Sequence, residues 1–93
     1  MYHVYIMASG RNGTLYIGVT GDLAQRAYQH RTGEIDGFTK RYAAKMLVHV
    51  EPFDRIEEVI QREKSLKRWP RRWKIELIET ENPQWRDLYE DLV

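Results

Sequence analysis

Two short segments of alternating apolar residues, joined by a run of turn formers, begin the chain and restrict what it can become. Tyr2, Val4, Ile6 and Ala8 alternate with His3, Tyr5 and Met7. After the turn, Leu15, Ile17 and Val19 alternate with Tyr16 and Gly18 across Thr14–Val19. A period of two in residues of this kind predicts strands. Ser9-Gly-Arg-Asn-Gly13 between them is a turn signal, so the pair predicts a β-hairpin. A four-residue loop, Ser9–Asn12, sets Ala8 opposite Gly13 and Tyr5 opposite Tyr16. Two phenols then stand side by side on one sheet face. A slip of one residue would part them.

The rest of the chain reads as helices around a third strand. Asp22 can cap a helix running to about Thr32, with Gly33 as its stop. Leu23 and Ala27 face inward, and Arg26 and His30, four apart, share a face. Gly33–Arg41 is a polar loop. Lys45–Phe53 predicts a third strand ending at Pro52. Asp54-Arg-Ile-Glu57 resembles a capping box, opening a helix to about Lys67. Pro70 suits the first turn of a helix to Glu79, and Pro83 suits that of a short last one, Pro83–Leu92. The order β-β-α-β-α-α-α predicts an α/β fold, a small, mixed or antiparallel three-stranded sheet flanked by helices.

At 93 residues the length suits one domain spanning 1–93. With no cysteine, a disulfide framework, a thiol nucleophile and a thiolate zinc site are excluded. No apolar run is long enough to span a membrane and no signal-peptide pattern opens the chain, so a cytoplasmic location is expected. The net charge of +1 hides an asymmetry. Residues 61–75 hold seven basic groups (Arg62, Lys64, Lys67, Arg68, Arg71, Arg72 and Lys74) and one acid, Glu63. Residues 76–93 hold six acids and one base. A basic block of this density is either a solvated helix face or the footprint of an anionic partner, nucleic acid foremost.

Few residues offer chemistry. His3, His30 and His49 lie on three different elements without paired spacing, which argues against zinc. Glu63 either holds one divalent cation through oxygen or pairs with Lys67 at i+4. Tyr5 and Tyr16 are either packed aromatics or, with a cation lowering the phenol pKa, a general base. Arg26 can supply that charge or clamp a phosphoryl oxygen, and His30 can relay a proton. Trp69 and Trp73 either stack on exposed bases or pack in the core.

Taken together these residues resemble the signature of the GIY-YIG nuclease superfamily. The likeness rests on Val4-Tyr5-Ile6 and Tyr16-Ile17-Gly18 ten residues on, then Val19-Thr-Gly-Asp-Leu-Ala-Gln-Arg26 with His30. The Gly37-Phe-Thr-Lys40 loop and the Glu57-Glu58 … Glu63-Lys64 … Leu66-Lys67 stretch are similar to a small, single-domain bacterial branch. The resemblance spans Tyr2 to about Leu88. It implies a largely antiparallel three-stranded sheet and metal-dependent cleavage of DNA. It places the two motif tyrosines at Tyr5 and Tyr16, the catalytic arginine at Arg26, the helix histidine at His30 and the metal-binding glutamate at Glu63. Two departures stand out. The first motif reads Val-Tyr-Ile, and Ile75, with Lys74 beside it, fills the place where many active members carry asparagine.

The function expected is a divalent-metal-dependent DNA endonuclease using Mg²⁺ or Mn²⁺, structure-specific, in repair or recombination. Lys40 and the seven basic residues of 61–75 would grip the backbone. A protein partner or substrate shape would supply specificity. Each duplex phosphate contact would add about −0.9 to the log–log salt slope. The alternatives are a non-catalytic nucleic-acid-binding module that keeps the fold, and a protein-interaction module using the acidic tail, Glu76–Asp91.

Overall fold

The computed structural model describes residues 1–34 and 43–92. The hairpin forms from β1 (Tyr2–Ala8) and β2 (Leu15–Thr20), and β3 (Met46–Phe53) completes a three-stranded antiparallel sheet in the order β2-β1-β3. Because β1 is central, its side chains are buried on both faces from Val4 to Ala8. On one face Val4, Ile6 and Ala8 join Ile17 and Val48 against α2 (Ile56–Arg68) and α3 (Arg71–Glu81), through Val59, Leu66 and Ile78. On the other, Tyr5 and Met7 meet Leu23 and Ala27 of α1 (Leu23–Thr32). Each of Val59, Leu66 and Ile78 is fully buried, contributing roughly 1.5–3 kcal/mol against exposure.

The hairpin register differs from the expected one by two residues. Ala8 pairs with Leu15, and Tyr5 pairs with Gly18. The loop is longer because Ser9 and Thr14 close it: Ser9 N–H donates to the Thr14 carbonyl at 3.0 Å, and Thr14 N–H to Ser9 Oγ at 2.9 Å. An even shift preserves the faces, so Tyr5 and Tyr16 remain on the same side as diagonal neighbours. Gly18 then lies under the Tyr5 ring. A Cβ built there would sit 2.5 Å from Tyr5 Cζ.

The first helix follows the sequence reading. Asp22 Oδ1 accepts from Gln25 N–H at 3.2 Å, and Gly33 ends α1 at φ 76°. The later boundaries move. Strand β3 runs through Pro52 to Phe53, which is permitted because β3 lies at an edge of the sheet. The N-cap of α2 is Arg55, not Asp54, and no side chain caps it. Pro70 sits at the N-cap of α3, and that helix continues to Glu81.

The expected α-helix at Pro83–Leu92 does not form. A turn and a 3₁₀ segment, Leu88–Leu92, take its place. Asn82 is the cause. Its buried amide donates to the carbonyls of Val48 at 3.2 Å and Arg86 at 2.8 Å, and accepts from Arg86 N–H at 3.0 Å. These bonds fold the chain back toward β3. Val48 is the bulged residue of that strand, since Ile6 pairs with His49 and Met7 with Leu47. Asp87 adds a second anchor, accepting from Leu47 N–H at 3.1 Å and pairing with Arg31 at the end of α1.

Candidate active site

Tyr5 and Tyr16 come from the two hairpin strands, and Arg26 and His30 from successive turns of α1. The Tyr5 hydroxyl and His30 Nε2 share a buried hydrogen bond of 3.0 Å. The three rings form a tilted cluster, with centroids 6.3 Å apart for Tyr5–Tyr16, 5.5 Å for Tyr5–His30 and 5.3 Å for Tyr16–His30. Helix α2 brings Glu63 close enough for its carboxylate to act on the Tyr5 hydroxyl. The five residues singled out from sequence are therefore brought into one neighbourhood, on three elements besides β1.

Electrostatics in this cluster favour the neutral forms of Tyr5 and His30. Burial pushes the Tyr5 phenol well above the usual range. Tyr16 and Glu63 add to that, while the Arg26 guanidinium pulls the other way. His30 is 2% exposed, and burial, then Arg26, lower its pKa to about 4. At neutral pH an uncharged imidazole thus meets an uncharged phenol. His30 Nδ1 is buried and has no hydrogen-bond partner among the described residues.

Glu63 Oε2 lies 3.3 Å from Lys67 Nζ, one helical turn on. Beside this pair a cleft of about 270 Å³ runs along β2, lined by Leu15, Tyr16, Ile17, Lys67 and Lys74. Lys74 Nζ donates to the Lys67 backbone carbonyl at 3.4 Å, which ties the Lys74 amine to the last turn of α2. Among the described residues no three His, Cys, Asp or Glu side chains group around a common point. A carboxylate with no further pair of His, Cys, Asp or Glu side chains around it among the described residues does not suit zinc. It suits a hard cation such as Mg²⁺, which takes one or two carboxylates and completes its shell with water and phosphate oxygens.

The basic block divides by role. Arg62 donates to both Glu51 oxygens at 2.7 and 3.0 Å and lies over the Trp69 ring at 5.0 Å, so its donors face inward to a clamp and not to solvent. Arg71 donates to the Asn12 and Gly13 carbonyls and ties α3 to the hairpin loop. Lys64, Arg68 and Arg72 are exposed. Lys40, with the Gly37–Lys40 loop, lies outside the described residues. Trp69 packs against the core, whereas Trp73 is half exposed and meets Trp69 edge-on at 5.9 Å. Ile75 packs against the core too.

The sequence reading passed over the partners of Arg62. His49 Nε2 lies 2.8 Å from Glu51 Oε2, and that carboxylate receives Arg62. Burial raises the Glu51 pKa, but hydrogen bonds from His49 and Arg62 outweigh it and hold the group at about 2. The available signal was spacing: residues two apart on a strand share a face, and His49 and Glu51 are both polar there.

A small antiparallel sheet with a tyrosine on each hairpin strand, an Arg–His pair on the following helix and a glutamate on the next brings together the residues on which the sequence likeness rests. The GIY-YIG catalytic domain matches residues 1–76, and the chain belongs to that nuclease family. It is similar to the UPF0213 protein of Staphylococcus saprophyticus, 32% identical over 83% of this chain and 93% of that one. It is similar to the UPF0213 protein of Syntrophus aciditrophicus at 34%, over 88% and 93%. The solution structure of the UPF0213 protein BH0048 from Bacillus halodurans overlays at a TM-score of 0.58 with 27% identity, covering 94% of this chain and 93% of that one. Among the described residues no helix is long and apolar enough to cross a membrane.

Proposed function

We propose that the protein is a divalent-metal-dependent endonuclease that hydrolyses DNA phosphodiester bonds, selecting its substrate by shape in repair or recombination within the cytoplasm. The observation that carries this reading is the convergence of Tyr5, Tyr16, Arg26, His30 and Glu63 beside a cleft bearing two lysines. Glu63 would hold Mg²⁺ or Mn²⁺. When bound, such an ion polarises a phosphoryl oxygen and acidifies a water.

The protein's own groups then have distinct tasks. Arg26 faces the phosphate and neutralises the charge that grows on the phosphorane. Tyr5 takes the proton of the attacking water as its own hydroxyl proton passes to His30 Nε2. Its raised pKa makes the neutral phenol the resting form, so Arg26 is required at Tyr5 as well as at the phosphate. His30, uncharged at neutral pH, orients the Tyr5 hydroxyl and takes up or passes on its proton. Tyr16 positions the water. Lys64, Arg68 and Arg72, with Lys40, supply backbone attraction.

One observation favours a second reading, a nucleic-acid-binding module without catalysis. The phenol is held protonated, and Ile75 is packed against the core at the position where the family often carries asparagine. A single experiment separates the two. Labelled duplex, single-stranded, flap and four-way-junction DNAs are incubated with Mg²⁺, Mn²⁺ or chelator. Metal-dependent cutting is expected, abolished by Glu63→Ala and slowed ~10²–10³-fold by Arg26→Ala. Binding without cutting, equal in wild type and Glu63→Ala, would leave only the binding module.

A further inference from the structure

The Glu63–Lys67 pair raises a question that the proposed chemistry alone does not answer. Lys67 Nζ is 3.3 Å from Glu63 Oε2, the carboxylate assigned to the metal. A Mg²⁺ or Mn²⁺ ion binds a carboxylate oxygen at about 2.1 Å. The ion and the ammonium cannot share that oxygen without lying within about 5 Å of each other. Two cations at that spacing repel, and Lys67, on a flexible stem, is the one free to move away.

Where it goes is also visible. Lys67 lines the cleft along β2, with Lys74 at the same end and Leu15, Tyr16 and Ile17 along its floor. An ammonium released from Glu63 enters a space already holding a second ammonium. Two like charges there are unfavourable until an anion joins them. A phosphodiester, with an anionic oxygen for the amines and an apolar sugar edge for Leu15 and Ile17, fits that description. Lysine suits this role better than arginine, being a mobile point charge and not a rigid fork.

We propose that Lys67 is an exchangeable counter-ion, which neutralises Glu63 in the resting protein and moves to a backbone phosphate when a divalent cation takes Glu63, so that metal and DNA bind in concert. This rests on the reading of Glu63 as the metal-holding residue. Its consequence is thermodynamic linkage: the cation tightens DNA binding, and DNA tightens cation binding by the same factor. Lys67 weakens metal binding in the absence of DNA. That property restrains the site from charging with metal where no substrate is present.

The test is a Mn²⁺ titration followed by loss of the free-ion paramagnetic signal. It is run with and without a short DNA oligonucleotide, in an Arg26→Ala background to slow cleavage. Lys67→Met is expected to tighten Mn²⁺ binding without DNA by about tenfold, and to cut the factor by which DNA tightens Mn²⁺ by at least fivefold. Lys67→Arg is expected to restore both toward the parent values. Lys64→Met removes a neighbouring charge that is not paired with Glu63 and, measured without DNA, should leave the Mn²⁺ affinity within about twofold. The Glu63–Lys67 pair is exposed at the lysine, so loss of folding is not expected on substitution. Unchanged Mn²⁺ affinity in Lys67→Met, with binding still abolished by Glu63→Gln, would overturn the proposal and leave the nuclease reading intact. An equal effect of Lys64→Met would overturn it in favour of general charge repulsion. Mn²⁺ binding insensitive to Glu63→Gln would overturn both.

Discussion

Gly18 and Tyr5 show how finely single residues set this site. The phenol lies over a position with no side chain, and a methyl added there would meet the ring at 2.5 Å. The ring is rigid and buried, so it must tilt away, and the 3.0 Å bond to His30 must lengthen. Gly18→Ala is therefore expected to lose roughly 1–3 kcal/mol of stability and most of any cleavage activity, read by denaturant unfolding beside a DNA-cutting assay. Retained activity at full stability would show that the Tyr5 position is not critical. The pairing was half legible in sequence. Alternation put Tyr5 and Tyr16 on one face, but loop length set the register, and Ser9 closes the loop through its hydroxyl, which periodicity does not report.

The buried histidine makes stability pH-dependent, with a sign that can be fixed. His30 titrates at about 4 in the folded chain against 6.5 for an unperturbed histidine. Between those values the unfolded state binds a proton that the native state does not, so stability falls as pH drops from about 6.5 to 4. The loss from this one group is about 3 kcal/mol. Glu51, held at about 2 against 4.5, acts in the next window: its contribution is complete above 4.5 and is lost as pH falls through 2. Urea midpoints measured from pH 7.5 to 4 should fall, and His30→Gln should flatten that fall. A small remainder is expected from His3, whose pKa burial and the N-terminal amine also lower.

At the scale of the element, α2 matters most because it carries Glu63 without a side-chain cap of its own. Its rotation is set by Val59 and Leu66 in the core and by the clamp His49–Glu51–Arg62–Trp69 from β3. Arg62 immediately precedes Glu63, so what fixes one aims the other. Glu51→Gln keeps the volume but leaves Arg62 without its counter-charge. It is expected to cost about 1–3 kcal/mol and to raise the metal concentration for half-maximal cleavage, whereas exposed Lys64→Gln should do neither. Thermal melts and metal titrations of cleavage check both. Helix boundaries in this half of the chain were poorly legible for a related reason. Asp54 and Pro83 carry ordinary start signals, yet tertiary bonds decide: the Asn82 amide reaches the bulged carbonyl of Val48, 34 residues away, and no local pattern announces it. Strands and α1 were legible because period and caps agreed with the packing.

At the scale of the whole molecule, the sheet divides labour between its faces. The side under α2 and α3 is mainly apolar, while the α1 side mixes Met7, Leu23 and Leu47 with the rings of Tyr5, Tyr16 and His30. The basic block, contiguous in sequence, is dispersed by folding: Arg62 turns to Glu51, Arg71 to the hairpin loop, and Lys67 and Lys74 to the cleft. Counting charges along the chain found the basic stretch but did not report that Arg62 and Arg71 are engaged within the protein.

Asp87 has a use beyond stability. By holding Leu47 at the start of β3 and Arg31 at the end of α1, it fastens the two stumps from which the intervening stretch, residues 33–45, departs. The span between the stumps is thus set by the clasp and not by the length of chain that crosses it. Doubling the length of that crossing should add only about 0.6 kcal/mol of closure entropy. A recognition peptide spliced between residues 34 and 43 is expected to leave the melting transition nearly unchanged in the wild-type background. Asp87→Ala alone should lower it through the lost bonds to Leu47 and Arg31, and the splice should lower it little further in that background, because the added closure entropy is the same.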